Sequence, residues 1–322
     1  MKKPIFTGSG VAIITPFAKD GSIDFEELGK ILEFQIENET DAIIICGTTG
    51  ESAAMPDSEH LSVIDYTVKK VNGRIPVIAG TGSNDTAHGI NLCKAAEKLG
   101  VDGLLTVTPY YNKTTQRGLV KHFTALANSV KIPLILYNVP SRTGLNIKPD
   151  TLLELSKVEN IIGIKEASGN ITQVAHMAAK CPDMVIYSGN DDQITSALAI
   201  GAKGVISVLA NIVPEVTHDI CQSYFDGDFG RSDTLQLEYL ELIENLFRDV
   251  NPIPVKQAMK DMGFDVGGCR LPLCDMEAPA AEQLLSDALR PGAAGQTGWH
   301  GDGQTGSGHA ALAEKPLICA PA

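Results

Sequence analysis

Lys165 closes the apolar run Ile161-Ile-Gly-Ile-Lys165, a pattern typical of a buried strand that ends in an amine. Burial disfavours the charged ammonium, so the pKa of such a lysine falls and its free amine becomes a nucleophile. A free amine condenses with a ketone or an aldehyde to form a Schiff base. The structural alternative is a side chain that reaches the rim of the sheet and pairs with Glu166. Position alone favours this alternative, so the decision depends on the residues that accompany Lys165.

Other polar residues also follow apolar runs. In Gly47-Thr-Thr-Gly-Glu-Ser52, two glycines let backbone amides and hydroxyls converge on an anion, although a threonine-capped turn explains the segment equally well.

Arg142 lies in a loop rich in Pro and Gly, where it either binds a carboxylate bidentately or stabilises the loop. Tyr137 ends an apolar run as a reactive phenol or as a core residue, and Tyr110-Tyr111 packs on the surface or at an interface. Together these residues predict an anion-binding, amine-dependent site.

Composition restricts the class of partner. The 322 residues carry a net charge of −13, which argues against nucleic acid or an anionic membrane as a partner. No apolar stretch approaches the roughly 20 residues of a membrane span, and we interpret the short run after the N-terminal Met-Lys-Lys as a strand rather than a signal peptide. The seven scattered cysteines show no CxxC or CxxH spacing. This pattern predicts a reduced, cytoplasmic protein without a zinc site.

Sequence motifs for nucleotides and calcium are missing. No GxxxxGK[ST] or GxGxxG segment follows an apolar run, which disfavours nucleotide binding. The segment Lys19–Asp24 superficially resembles a calcium loop but lacks the alternating acidic ligands, so we expect a turn and a helix cap there.

The elements that must position these residues are eight short apolar runs with mostly helix-length segments between them. Runs that are apolar throughout indicate strands buried on both faces, and hence a parallel sheet. The pattern predicts a (β/α)8 TIM barrel, with a doubly wound open sheet as the alternative. The runs are Val11–Thr15, Ala42–Cys46, Pro76–Ala79, Gly103–Val107, Leu134–Tyr137, Ile162–Lys165, Met184–Tyr187 and Gly204–Val208.

Helical spacing is clear in two segments of the barrel and again after the eighth run. We expect Asp24 to cap the helix that starts at Phe25, and Gly100 to end the helix of residues 87–99. Further helices after the eighth run predict a C-terminal helical extension. The predicted organisation is a catalytic barrel over 1–225, the extension over 226–290 and a Gly-rich disordered tail over 291–322, whose two histidines have no metal-ligand spacing.

Five segments agree in order and spacing with one known family. Over about residues 5–290 the chain resembles 4-hydroxy-tetrahydrodipicolinate synthase, also called dihydrodipicolinate synthase, a family of the pyruvate-dependent class I aldolase superfamily. The segments are Gly47-Thr-Thr-Gly-Glu-Ser52, Leu105-Thr-Val-Thr-Pro-Tyr-Tyr-Asn112, Tyr137-Asn-Val-Pro-Ser-Arg-Thr-Gly144, Ile162-Gly-Ile-Lys-Glu-Ala-Ser-Gly169 and Asn251-Pro-Ile-Pro-Val-Lys256.

The resemblance implies an activity. Lys165 forms a Schiff base with pyruvate, and the derived enamine attacks the aldehyde of L-aspartate 4-semialdehyde. Cyclisation then gives 4-hydroxy-tetrahydrodipicolinate, the first committed step of diaminopimelate and lysine biosynthesis. Thr49, Tyr137 and Tyr111 form a proton relay, with Tyr111 supplied by a neighbouring subunit, so the protein is at least a homodimer and, by resemblance, a homotetramer. No metal or organic cofactor is needed.

The resemblance also implies binding residues. Thr48 and Thr49 hold the pyruvate carboxylate, Arg142 holds that of the semialdehyde, and Gly189 and Ile206 line the Lys165 pocket. Members of the family often carry a feedback site for lysine, whose matching positions here are Ser52, Ala53, Asp57, His60, Asn84, His88 and Tyr110.

Two of these positions depart from the lysine-sensitive pattern. His88 stands where lysine-sensitive relatives commonly have glutamate, and Asp57 where they have histidine. Loss of the carboxylate that meets the effector's amine predicts weak or absent inhibition by lysine.

Two other functions compete with this interpretation. Sugar-acid aldolases such as N-acetylneuraminate lyase share the lysine, the tyrosine and the Gly-Thr/Ser-Thr-Gly-Glu loop, but they usually lack an arginine at the position of Arg142. A binding protein that senses pyruvate or lysine is disfavoured by the intact set of Thr49, Tyr111, Tyr137 and Lys165.

Overall fold

A closed barrel of eight parallel strands forms the centre of the protein. We describe a computed structural model, which covers residues 2–288. Each strand pairs with the next, and β8 pairs with β1, which excludes the open-sheet alternative. The strands are β1 Gly8–Ala12, β2 Ala42–Ile45, β3 Val77–Gly80, β4 Gly103–Val107, β5 Leu134–Asn138, β6 Ile161–Glu166, β7 Val185–Ser188 and β8 Gly204–Ser207. The structure therefore confirms the predicted TIM barrel.

Helices surround the barrel and continue beyond it. Asp24 accepts a hydrogen bond from the Glu27 amide at the start of the first helix, and Gly100 adopts a left-handed conformation after the third, so both predicted helix ends are confirmed. The helices are α1 Phe25–Glu37, α2 Asp57–Val71, α3 Thr86–Leu99, α4 Gln116–Ala127, α5 Pro140–Thr143, α6 Pro149–Leu155, α7 Ile171–Lys180, α8 Ile194–Ala199, α9 Pro214–Phe225, α10 Phe229–Glu238, α11 Leu240–Asn245, α12 Ile253–Asp261 and α13 Ala278–Ala288.

Two apolar layers hold these elements together. The larger layer lies between the strands and the helices, and a smaller cluster that includes Ile44, Tyr137 and Ile206 fills the barrel. Burial on both faces explains why the strands are apolar throughout. Because apolar side chains fill the interior of the barrel, a catalytic site can form only at the ends of the strands.

The first strand begins earlier than predicted. Residues 8–12 form the strand, whereas the apolar run suggested Val11–Thr15. Gly10 is the reason, because a Cβ there would press on Phe6 and Ile44; the strand starts with small residues that carry no apolar signal.

The segment after α12 returns to the loop that follows β1. The Phe17 amide donates to the Val266 carbonyl at 3.1 Å, and a Cβ on Gly267 would overlap the Phe17 carbonyl. Gly267 has a φ of +65°, so glycine is required there for both reasons. The helical extension thus contacts the end of the barrel at which the strands finish.

The predicted domain limits at residues 225 and 290 stay predictions, and the predicted tail, 291–322, lies outside the described residues. Within residues 2–288, no helix combines the length and the apolar character needed to cross a bilayer.

Candidate active site

Lys165 lies at the end of β6, between two tyrosines. The strand register places it beside Tyr137 of β5 and Tyr187 of β7. Only 6% of Lys165 is exposed, and its Nζ lies 4.6 Å from the centre of the Tyr137 ring. Desolvation lowers the pKa of Lys165 to about 8; the negative charge of Asp191 opposes this shift and the positive charge of Arg142 adds to it. Burial therefore makes far more free amine available near neutral pH than an exposed lysine offers.

Glu166 does not serve as the partner of Lys165. Successive side chains of a strand point to opposite faces, and the Glu166 carboxylate accepts hydrogen bonds from Asn138 Nδ2 and the Ser168 amide, both at 2.8 Å. The structural alternative for Lys165, pairing with Glu166, is therefore not what the protein adopts.

Gly189 makes room for the lysine side chain. An added Cβ at this position would lie 3.0 Å from Lys165 Cε and 2.6 Å from the Ala167 Cβ. Ile206 lies on β8 within the barrel cluster that also contains Tyr137. Both residues thus occur at the strand ends where we expected the Lys165 pocket.

Tyr137 is buried above the amine, and its hydroxyl contacts Thr48. Burial raises the pKa of Tyr137, while the charge of Arg142 and a hydrogen bond with Thr48 oppose the rise. We expected Thr49 in the relay with this phenol, but the contact belongs to its neighbour. Adjacent loop residues point in different directions, and the Thr49 hydroxyl faces Asn251 instead.

The Thr49 hydroxyl accepts a hydrogen bond from Asn251 Nδ2 at 3.0 Å, and both residues are buried. Two residues further on, Glu51 accepts from Lys256 Nζ at 2.8 Å in a buried ion pair. Asn251 and Lys256 belong to one of the five segments that resemble the family, but the resemblance assigned neither residue a role. Both residues lie about 200 positions from the loop in the sequence, and only the fold brings them to the site.

Arg142 lies in the short helix α5 at the rim of a cleft of about 360 Å³. Its Nη2 donates to the Asn251 carbonyl at 3.1 Å, while the rest of the exposed guanidinium has no hydrogen bond within residues 2–288. Thr48 lines the same cleft, so a hydroxyl and a cation with free donors face one space. This arrangement suits an anionic ligand.

The same cleft is also lined by most of the predicted lysine-site positions: Ser52, Ala53, Asp57, His60, His88 and Tyr110. Asn84 lies outside it and donates to the Tyr110 carbonyl at 3.3 Å. His88 is held between Ser83 at 3.1 Å and Asp57 at 2.9 Å. Burial lowers the pKa of His60, whose Nε2 lies 2.8 Å from the Gly80 carbonyl oxygen.

Tyr111 stands apart from the other predicted catalytic residues. It is 92% exposed, with a φ of +66° in the loop after β4. The structure thus brings Lys165, Tyr137, Thr48 and Arg142 to one end of the barrel, and it leaves Tyr111 on the surface of the chain.

Comparison with known proteins agrees with this geometry. The model of the Dihydrodipicolinate synthetase family matches residues 5–289. The chain belongs to this family. It is 61% identical over 286 residues to the 4-hydroxy-tetrahydrodipicolinate synthase of Caldicellulosiruptor saccharolyticus, an alignment that covers 89% of this chain and 97% of the relative.

Two solved structures of family members share the fold. The chloride-inhibited dihydrodipicolinate synthase from Acinetobacter baumannii, complexed with pyruvate, has a TM-score of 0.86 and 43% identity, covering 88% of this chain and 97% of that one. The enzyme from Cyanidioschyzon merolae with lysine bound has a TM-score of 0.87 and 38% identity, covering 91% and 99%.

Proposed function

We propose that the protein condenses pyruvate with L-aspartate 4-semialdehyde to give 4-hydroxy-tetrahydrodipicolinate, through a Schiff base on Lys165. The observation that carries the proposal is the buried Lys165 amine against the Tyr137 ring, beside a cleft that contains Arg142. The name shared by relatives of up to 61% identity supports the same activity.

In the first half of the reaction, the free Lys165 amine attacks the ketone carbon of pyruvate. Loss of water, with protons passed by Tyr137, gives a cationic imine. Thr48 and Thr49 hold the pyruvate carboxylate. Loss of a proton from the methyl carbon then produces a neutral enamine, because the cationic nitrogen accepts the electron pair.

In the second half, the enamine carbon attacks the aldehyde carbon of the semialdehyde. Arg142 binds the carboxylate of this substrate, and the aldehyde oxygen takes a proton from Tyr137. The amino group of the semialdehyde then attacks the imine carbon. This attack closes the ring, and the carbon–nitrogen bond to Lys165 then breaks, which releases the product and returns the free amine.

The proton relay runs from Thr48 through Tyr137 to Tyr111 of a second subunit. The 92% exposure of Tyr111 in the single chain fits a side chain that is supplied to the site of a neighbouring subunit. We therefore infer a homodimer at least, and a tetramer by family resemblance. A cytoplasmic location follows from the biosynthetic role.

We also propose that the cleft positions Ser52, Ala53, His60, Asn84, His88 and Tyr110 correspond to the lysine site of the family. The Asp57–His88 pair changes its chemistry, because the carboxylate and the imidazole have exchanged places relative to lysine-sensitive relatives.

Borohydride reduction with pyruvate, followed by mass spectrometry of the peptides, tests the proposal. We expect one pyruvate adduct, on Lys165; an unmodified Lys165 would refute the Schiff-base activity. A coupled assay that compares aspartate semialdehyde with sugar-acid substrates then separates the synthase from N-acetylneuraminate lyase. We expect turnover of the semialdehyde alone.

A further inference from the structure

Asn251, at the start of the segment that leads into α12, contacts two groups of the site at once. Its Nδ2 donates to Thr49 Oγ1 at 3.0 Å, and its carbonyl oxygen accepts from Arg142 Nη2 at 3.1 Å. Asn251 is 5% exposed and Thr49 is 3% exposed, so water does not compete for the first contact. One residue thereby joins the two side chains that hold substrate carboxylates in the proposed reaction.

The direction of the Asn251–Thr49 hydrogen bond has a chemical consequence. An amide NH2 group only donates, so the Thr49 oxygen accepts and its own hydrogen is directed elsewhere. A carboxylate only accepts, and it therefore requires a hydroxyl that donates. Asn251 thus leaves the Thr49 hydroxyl hydrogen available to donate to an anion.

The second polar atom of the amide supports a specific role. Asn251 Oδ1 is buried and has no hydrogen-bond partner in the part of the chain that the structure describes. A buried unpaired acceptor costs free energy, which packing alone does not justify.

The loop that carries Thr49 is fixed a second time by the same part of the chain. Glu51 pairs with Lys256 in the first turn of α12. A second contact between the same two segments therefore also fixes the position of Thr49 relative to Asn251.

We propose that Asn251 is a positioning residue, which presents the Thr49 hydroxyl as a hydrogen-bond donor to the carboxylate of pyruvate. The inference rests on the proposed function, because it assumes that Thr49 binds this carboxylate. It assigns a role to a residue that does not itself touch the reacting atoms.

The variants Asn251→Ala and Asn251→Asp test the proposal, with the pyruvate concentration that gives half-maximal borohydride trapping on Lys165 as the readout. We expect Asn251→Ala to raise this concentration about tenfold, the effect of losing one hydrogen bond to a charged group, with a smaller change in kcat. Asn251→Asp keeps the shape but accepts the Thr49 proton and repels the substrate, so we expect at least the same increase. Should Asn251→Ala not fold, Asn251→Asp carries the test.

A Thr49→Val background separates positioning from general structural damage. If Asn251 acts through the Thr49 hydroxyl, Asn251→Ala has no further effect once that hydroxyl is gone. Ser232→Ala is the matched control, since it removes a buried hydrogen bond from α10 to the Ile220 carbonyl of α9, which takes no part in the site. We expect it to lower Tm without changing trapping.

Unchanged half-maximal trapping in both Asn251 variants, or an equal effect with and without the Thr49 hydroxyl, would overturn the positioning role. Absence of an adduct in the unmodified protein would instead refute the proposed function, so the two failures are distinguishable.

Discussion

At the scale of single residues, the two tyrosines that flank Lys165 have different hydroxyl partners. The Tyr187 hydroxyl donates to the Phe6 carbonyl at 2.7 Å, and its ring stacks on Phe6. The Tyr137 hydroxyl contacts Thr48, next to the cleft. Of the two tyrosines, only Tyr137 has a hydroxyl partner, Thr48, that lines the cleft. A proton relay requires such a connection to the substrate.

Tyr137→Phe and Tyr187→Phe provide a matched comparison of these roles. We expect Tyr137→Phe to lower kcat by about 10²–10⁴-fold, the usual contribution of general acid–base catalysis, because the ring stays but the proton donor is lost. Tyr187→Phe should lose about 1 kcal/mol of stability with little change in kcat. Steady-state kinetics and thermal unfolding measure both effects; equal losses of kcat would contradict the assignment.

The pH dependence of imine formation follows from the pKa of Lys165, which burial lowers to about 8. Only the neutral amine attacks pyruvate, and its fraction rises as pH rises through this pKa. We expect the rate of imine formation to increase about tenfold per pH unit well below 8 and to level off above it. Rapid-quench borohydride trapping between about pH 6 and 9 measures this rate. A rate that keeps rising towards the pKa of an exposed lysine would contradict the burial argument.

The sequence predicted the lysine, the tyrosine and the arginine, because each follows a recognisable apolar run or loop. It did not distinguish Thr48 from Thr49, since neighbouring residues of the same type differ only in the direction that the folded loop gives them. Nor did it predict the role of Asn251, whose contact depends on the packing of a distant segment.

At the scale of elements, the loop after β2 depends on the segment around α12. Lys256 donates to Glu51 and to the Gly268 carbonyl, and the Arg270 amide donates to the same carboxylate at 2.8 Å. Both side chains of the ion pair are almost fully buried. Such a pair adds little stability over an apolar substitute, but it is expensive to break on one side.

Lys256→Met tests this dependence. The change leaves the Glu51 carboxylate buried without its cation, so we expect a loss of about 3–5 kcal/mol in the free energy of unfolding. Pyruvate trapping should weaken as well, because Glu51 belongs to the loop of Thr49. Lys157→Met removes an exposed partner of Glu154 and should change the free energy of unfolding very little. Denaturant unfolding compares the two variants, and similar losses would show that the buried pair has no special role.

The cleft leads to a prediction about regulation by lysine. Position 88 carries an imidazole, and the Asp57 carboxylate already contacts it at 2.9 Å, so neither position offers a free carboxylate to the amine of an effector. We expect weak or absent inhibition by lysine, and stronger inhibition in the double variant Asp57→His/His88→Glu. Initial rates over a lysine titration measure both. Strong inhibition of the unmodified protein by micromolar lysine would overturn this prediction.

The order and type of the barrel elements were predictable because strands buried on both faces have a simple apolar signature. The start of β1 was not predictable. Gly8 and Gly10 belong to this strand because neighbouring side chains leave no room for a Cβ, and glycines give no apolar signal. Contacts between the extension and the barrel loops were also unpredictable, because apolar periodicity indicates which face of a helix is buried but not against which loop.

At the scale of the whole molecule, the exposed Tyr111 predicts that active sites are shared between subunits. Lys165→Arg and Tyr111→Phe should each be nearly inactive. When the two variants are mixed, dissociated and reassociated, each hybrid dimer regains one complete site. We expect about a quarter of the unmodified rate for random pairing in a two-fold symmetric dimer.

Mixing Lys165→Arg with Tyr137→Phe is the control, because both residues belong to the same chain's site and no hybrid regains a complete one. Activity measured before and after reassociation decides the matter. A Tyr111 mixture that stays inactive would show that this tyrosine does not act across the subunit interface.

The hydrogen bond between Thr49 and Asn251 also bears on how the protein is made. Its two residues are separated by 202 positions, so a ribosome has completed all eight strands before Asn251 exists. A nascent chain that has just passed Ser207 already carries Lys165 and Tyr137, yet Thr49 and Arg142 still lack their common partner. The contact that positions Thr49 can therefore form only after all eight strands of the barrel have been synthesised.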